Sequence, residues 1–195
     1  MNSTFSLMDY LRADLKRSFQ LSHAPGTQVP SGVALWIGLI SPRTAPVALC
    51  RLAYFFARLR LVPVEKLFSI LNFIVFGIEV SPRCHIGKGL FLPHSQGTVI
   101  GAYSIGENAT IYQGVTLGAR ELDFGYSKEG RPVLGDGVTV GAGAKVLGGI
   151  TLGDQCKVGA NAVVLKSVAA GKSVVGIPAE ELPLAEKFLD HSSDV

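Results

Sequence analysis

At 195 residues the chain is long enough for one large domain or a core with a smaller appendage. Hydrophobic residues make up 48% and charged residues 17%, which excludes a disordered chain, and no continuous apolar run reaches the roughly 20 residues of a spanning helix. Net charge is +3 but uneven, with eight Lys/Arg against three Asp/Glu in residues 1–78 and ten against twelve in residues 79–195.

The basic, apolar front part reads most simply as a helical cap with a solvated face, and it is compatible with a membrane surface or anionic ligands. No nucleic-acid partner is expected. The opening MNSTFSLMDYLRADLKR carries acids and bases early and lacks an apolar h-region, so no secretory signal is expected. Three cysteines, Cys50, Cys84 and Cys156, are an odd number without paired spacing. They argue for a reducing cytoplasm and against a disulfide framework or zinc site. The expected address is the cytoplasm, with the inner face of the cell membrane as the alternative that the basic front part leaves open.

In chain order, DYLRADLKRSF places Leu11, Leu15 and Phe19 four apart, a helical stripe. Residues 22–32, SHAPGTQVPSG, read as a loop. After Pro42 and Pro46 a second helix is expected from Val47, with apolar Leu49, Leu52, Ala53 and Phe56, ended by Pro63. VEKLFSILNFIVFG makes a third, stopped by Gly77.

The period then changes to six. Aliphatic residues recur at Val80, Ile86 and Leu92; after one extra residue they resume at Val99, Ile105, Ile111 and Leu117. After a longer interruption come Leu134, Val140, Val146, Leu152, Val158 and Val164. Four residues after the aliphatic stands a smaller apolar one, among them Cys84, Ala109, Val115, Val138, Ala144, Ile150, Cys156, Ala162 and Val168. A hexapeptide repeat predicts a parallel β-helix, with the aliphatic inside a narrow prism and three hexads to a coil. Residues 79–175 then hold about five coils. The domain expectation is a helical region over 1–78, a β-helix over 79–178 with an inserted loop at 119–133, and a tail over 179–195. The two breaks in register, near His94 and at 119–133, are where chemistry is expected, because repeat proteins gather function into insertions.

FGIEVSPRCHIGKGLFLPHSQGTVIG (76–101), IYQGVTLGA (111–119), VGAGAKVLGGITLG (140–153), VGANAVVLKSV (158–168) and VVGIPAE (174–180) carry a resemblance. In order and spacing they resemble the hexapeptide-repeat acyltransferases, in particular the serine acetyltransferase branch. Acetyltransferases of exopolysaccharide synthesis, of the colanic-acid type, share that architecture. The resemblance implies a left-handed β-helix, a homotrimer with active sites between subunits, and acetyl-CoA as donor. It also implies His94 as general base and Glu79 as the carboxylate paired with it. Those residue types suit the chemistry. A hydroxyl is a poor nucleophile at neutral pH, and a neutral imidazole oriented by a carboxylate can take its proton. Fifteen residues separate Glu79 from His94, close to one coil.

The resemblance places CoA along a groove of small residues at Ala119, Gly141, Ala142, Gly159 and Ala160, with Lys157, Lys166 or Lys172 toward the phosphates or simply solvated. Where the family often has a basic residue after Pro-Ala, this chain has Glu180. Acceptor-binding candidates are Pro93, Gln113, Arg120 and Arg131. No metal-ligand spacing is present. His85, His23 and His191 read as surface side chains.

The acceptor side departs from serine acetyltransferases. Pro93 stands where they carry Asp, and Gly130-Arg131 where they carry Arg-His, in a longer loop. A site lacking groups for an ammonium and a carboxylate should discriminate poorly for serine. The leading expectation is therefore acetyl transfer to a sugar hydroxyl in surface-polysaccharide synthesis. The alternatives are serine O-acetylation and an inactive trimeric scaffold.

Overall fold

The structure is a computed structural model and describes residues 6–182. Four α-helices precede the repeats: α1 (Leu7–Ser22), α2 (Val33–Ile37), which runs into a 3-10 turn at Gly38–Ile40, α3 (Ala45–Arg58) and α4 (Val62–Phe76). Ser6 caps α1 by accepting from the Asp9 N–H, and α1 buries Tyr10, Leu11, Asp14, Leu15 and Ser18 on one face. The short α2 lies just beyond the expected loop and was not expected. Pro63 does not end α3. It occupies the first turn of α4, where a missing N–H costs nothing, and the break falls at Arg60, whose φ is 58°. Gly77, with φ 61°, closes α4 as its left-handed cap and hands the chain to the first strand.

Helix α4 is turned inside out. Glu65 and Asn72 are its buried residues, whereas Leu67, Ile70, Leu71, Phe73, Ile74 and Val75 are exposed. Asn72 Nδ2 donates to the Pro46 carbonyl at 3.0 Å and to Cys50 Sγ at 3.1 Å, so its inner face is held by polar contacts. No single helix is long and apolar enough to cross a membrane among the described residues.

The repeats form a left-handed parallel β-helix on three sheets. The first holds β1 (Ile78–Val80), β3 (Thr98–Ile100), β6 (Thr116–Gly118), β9 (Lys145–Leu147) and β12 (Val163–Val164). The second holds β2 (His85–Ile86), β4 (Ser104–Ile105), β7 (Val133–Leu134) and β10 (Thr151–Leu152). The third holds β5 (Thr110–Ile111), β8 (Thr139–Val140), β11 (Lys157–Val158), β13 (Ser173–Val175) and the antiparallel β14 (Glu180–Glu181). Tandem hexads stack because each coil's backbone pairs with the next, so every inward aliphatic meets its counterparts above and below. Ile86, Leu92, Ile105, Ile111, Leu117, Leu134, Val140, Val146, Leu152, Val158 and Val164 all lie in this core. Each contributes roughly 1.5–3 kcal/mol by leaving water. Every smaller inward position named above is buried too, including Cys84 and Cys156.

The expected register fails at one rung. Val99 points outward, 36% exposed, and Ile100 takes the inward place at 0%. Ile100 pairs with Leu117, and Val99 with Thr116. The apparent single extra residue is thus two residues added around His94 and one removed between Ile100 and Ile105. Because side chains alternate along a strand, a slip of one residue exchanges inside for outside.

The helices are bolted to the prism by charge. Arg51 pairs with Asp14 and donates to the carbonyls of Ile86 and Gly87, and Asp14 accepts from the Leu90 N–H at 2.9 Å. Arg17 adds bonds to the Gly89 and Ala109 carbonyls. His23 closes α1, its ring stacked on Phe19, and His85 packs edge-on against Tyr54. His191 and most of the 179–195 tail lie outside the described residues.

Candidate active site

His94 stands on the prism edge where the chain passes from the third sheet to the first. Phe91 bridges to Thr110 on the third sheet and Thr98 opens β3 on the first, so residues 92–97 form the corner. Leu92 anchors it in the core at 0% exposure, while His94 is exposed. The corner is pinned on both sides. Ser95 Oγ donates to the Phe76 carbonyl at 3.0 Å, and the Gly97 N–H to the Gly77 carbonyl at 2.8 Å. On the other side the Gly114 N–H donates to the Gln96 carbonyl at 2.9 Å, and Thr98 Oγ1 to the Tyr112 carbonyl at 3.3 Å. Inserted residues tied down this way leave the imidazole displayed and its backbone fixed.

The same edge continues through the following coils. The Gly143 N–H donates to the Gln113 carbonyl and the Asn161 N–H to the Ala142 carbonyl, both at 2.8 Å. Gln113, Gly141, Ala142, Gly159 and Ala160 therefore stack in line with the His94 corner. A Cβ on Gly141 would lie 2.7 Å from Ala160 N, so adjacent coils meet here with no room for a side chain between them. Gln113 Oε1 is buried with no hydrogen-bond partner among the described residues, an acceptor held ready beside the histidine corner.

The rest of the expected set lies elsewhere. Ala119, Arg120 and Lys166 follow β6 and β12, on the edge between the first and second sheets. Arg120 donates from Nε to the Leu147 carbonyl at 3.3 Å and from its terminal nitrogen to the Leu165 carbonyl, stapling three coils. It lines a cleft of about 650 Å³ with Ala119, Glu121, Leu122, Glu129 and Leu165. Within one chain the CoA-site candidates thus divide between two edges.

Glu79, in β1, faces outward beside Val99. It lines a cleft of about 330 Å³ with Arg83, Thr116, Tyr126 and Arg131. No hydrogen bond or ion pair joins Glu79 to His94 among the described residues. Glu79 pairs in register with Val99 on the first sheet, whereas His94 stands on the corner that leads into β3, so the 15-residue spacing does not stack the two.

Arg131 is committed within its own loop. Its Nε donates to Asp123 Oδ2 at 2.8 Å, its terminal nitrogens to the Gly101 and Asp123 carbonyls, and the guanidinium lies 4.0 Å from the Tyr126 ring centroid. Burial works to raise the Asp123 carboxyl, but the bonds from Arg131 and the Ser127 N–H outweigh it and hold it below the usual carboxylate range. Tyr126 donates to the Ala102 carbonyl at 2.7 Å, and burial pushes its hydroxyl up to about 12. Arg131 is a strut of the long loop.

Sequence reasoning missed two polar groups here. Ser95 fixes the histidine corner, and its signal was its place beside His94 in PHSQG. Lys145, on the outer face of the first sheet, donates to the Gly114 carbonyl at 2.7 Å and Thr116 Oγ1 at 3.1 Å, and its position in a repeat resembles any solvated lysine.

Comparison with known proteins adds an independent line. Residues 131–166 match the family model "Bacterial transferase hexapeptide (six repeats)". A serine acetyltransferase of Staphylococcus aureus is 50% identical over 103 residues, 52% of this chain and 47% of that protein. The soybean serine acetyltransferase apoenzyme superposes with a TM-score of 0.76 at 31% identity, covering 91% of this chain and 69% of that one. A serine acetyltransferase solved in complex with CoA gives 0.74 at 26% identity, covering 91% and 70%. The chain spans about half the length of the curated relatives it matches.

These findings overturn the expected polysaccharide acceptor. That expectation rested on what is missing at Pro93 and at Gly130-Arg131. The structure removes part of its force, because Arg131 is spent on Asp123 and reports loop architecture. Identity reaching 50% with serine acetyltransferases outweighs two absent polar positions. Taken with the five-coil prism and its hexad core, the likeness to the soybean enzyme over 69% of that chain at 31% identity establishes that the chain belongs to the hexapeptide-repeat family of transferases.

Proposed function

We propose that the chain is an acetyl-CoA-dependent serine O-acetyltransferase, with His94 as general base. The observation that carries this reading is the shared edge. An exposed, backbone-fixed histidine stands in line with Gly141, Ala142, Gly159 and Ala160, where small side chains leave a thioester arm free to lie along the prism. Its likeness to serine acetyltransferases, one solved with CoA, supports the donor and the acceptor class.

The neutral His94 imidazole takes the proton of the serine hydroxyl as that oxygen attacks the thioester carbonyl. The tetrahedral intermediate collapses, the C–S bond breaks, and the imidazolium returns the proton to the departing CoA sulfur. No covalent acyl-enzyme forms. Glu79, on β1, serves in this proposal as the carboxylate that orients the imidazole and stabilises its charged form.

Homotrimeric assembly belongs to the same proposal. Two observations support it: the CoA-site candidates divide between two prism edges that a neighbouring copy would bring together, and α4 turns an apolar face outward. Lys166 and Ala119 of one copy then complete the groove beside His94 of the next.

Thiol release from acetyl-CoA, followed with L-serine and with a panel of saccharides, tests the reading. Release that depends on L-serine is expected. Release driven by a saccharide but not by L-serine would refute it.

A further inference from the structure

Away from the candidate active site, the segment Val33–Ile40, VALWIGLI, carries seven apolar residues in eight. Leu35 alone is buried; Val33, Ile37 and Ile40 are 77%, 62% and 84% exposed. Behind them lies a cleft of about 320 Å³, walled by Leu15, Phe19, Ala34 and Leu35, with His23 and Arg43 also lining it. Arg43 is exposed and donates to Ser22 Oγ at 3.2 Å.

The charge on this part of the molecule selects the occupant. Of the acids in the described residues up to Ile78, Asp14 and Glu65 are buried, leaving Asp9 exposed. Against it stand exposed Arg12, Lys16, Arg43, Arg58, Arg60 and Lys66. A second copy laid against this surface through its own helical region would meet the same positive sign. An anionic bilayer complements both the charge and the apolar side chains. Geometry sets the depth. Val33–Ile40 and Ala45–Arg58 are together apolar enough to enter a membrane, but they turn through 96°. The second of them is also committed to the protein interior through Arg51 and Asp14.

We propose that Val33–Ile40 is a shallow wedge that docks the protein on an anionic lipid surface, inserting Val33, Ile37 and Ile40 while Arg43 meets headgroup phosphates. This is independent of the acetyl acceptor. It would hold the protein at a bilayer whichever hydroxyl is acetylated.

The chain's single tryptophan, Trp36, sits inside the wedge and reports on it. The experiment mixes the full chain with phosphatidylglycerol-containing vesicles and with pure phosphatidylcholine vesicles. It reads co-sedimentation, Trp36 emission and quenching by brominated acyl chains. Expected are binding to the anionic vesicles, a blue shift and quenching, all weakened by added salt. Ile37→Asp/Ile40→Asp should lower partitioning at least about tenfold, and Arg43→Gln about fivefold, with circular dichroism unchanged because these side chains are exposed. Binding that survives the double substitution, or a Trp36 that stays in water, overturns the proposal. So does a double variant whose oligomeric mass falls in light scattering, since the face would then belong to a second copy.

Discussion

Arg51 Nε lies 2.8 Å from Asp14 Oδ2, with both side chains 4% exposed, and this one pair joins α1 and α3 to the coil that leads to His94. Arg51 reaches the Ile86 and Gly87 carbonyls at 2.6 and 2.7 Å, and Asp14 holds the Leu90 N–H. Removing one partner strands the other in the interior. Arg51→Met is predicted to cost about 3–5 kcal/mol, read as a lowered urea midpoint at unchanged m-value.

The pair also sets a pH dependence. Burial raises the Asp14 carboxyl above its ordinary 3.8, and the Arg51 charge and hydrogen bonds only partly offset this. The folded chain therefore keeps this proton over an interval, starting at 3.8, in which the unfolded chain has lost it. The contribution is fully present below 3.8 and is lost as pH rises through the folded value. Asp14→Asn should flatten that segment of the stability profile, and an unchanged slope would reject the assignment.

Burial pushes the Cys50 and Cys84 thiols up to about 12, and Cys156 is raised by burial too. The thiolate is the reactive form, so at about pH 8 these groups are almost wholly protonated as well as enclosed. Iodoacetamide should leave Cys50 and Cys84 unmodified in the folded protein and label all three cysteines in denaturant, as read by mass spectrometry. Rapid native labelling of Cys84 would place it outside the prism.

Cys84 and Cys156 illustrate what was legible beforehand. A hexad period is a strict physical code, because each inward position faces its own copies above and below, and both cysteines fell where the period put them. The code failed at Val99, where two changes of opposite sign look like one in the sequence. It was silent on α4, whose exposed leucines and isoleucines follow a helical period without saying which face is inside. Arg131 misled for a different reason. A charged residue in a functional loop reads as a ligand contact until Asp123 is found 2.8 Å away.

Gly143 adopts φ +72°, and a Cβ there would meet Asn161 Oδ1 at 2.1 Å. Asn161 itself turns with φ 57° one coil further along, on the His94 edge. Gly143→Ala is predicted to destabilise by about 1–3 kcal/mol. Adding Asn161→Ala removes the clash but not the left-handed strain, so the double variant should recover only part of the loss. Full recovery in thermal melts would show that strain contributes nothing at this corner.

Ser95, 7% exposed, holds the histidine corner to the end of α4 through the Phe76 carbonyl. Under the proposed function, Ser95→Ala loosens His94 without touching substrate. A fall in kcat on the order of tenfold, with KM for acetyl-CoA little changed and rescue by Ser95→Thr, is expected. A lowered melting temperature with kcat intact would make Ser95 merely structural.

In the proposed reaction His94 takes the proton from the acceptor hydroxyl. The most direct test of this step is the initial rate of L-serine-dependent thiol release from acetyl-CoA, for the unsubstituted chain and for His94→Ala at matched oligomeric mass and melting temperature. A fall in kcat of about 10²–10⁴-fold is expected. A His94→Ala rate equal to that of the unsubstituted chain would contradict it.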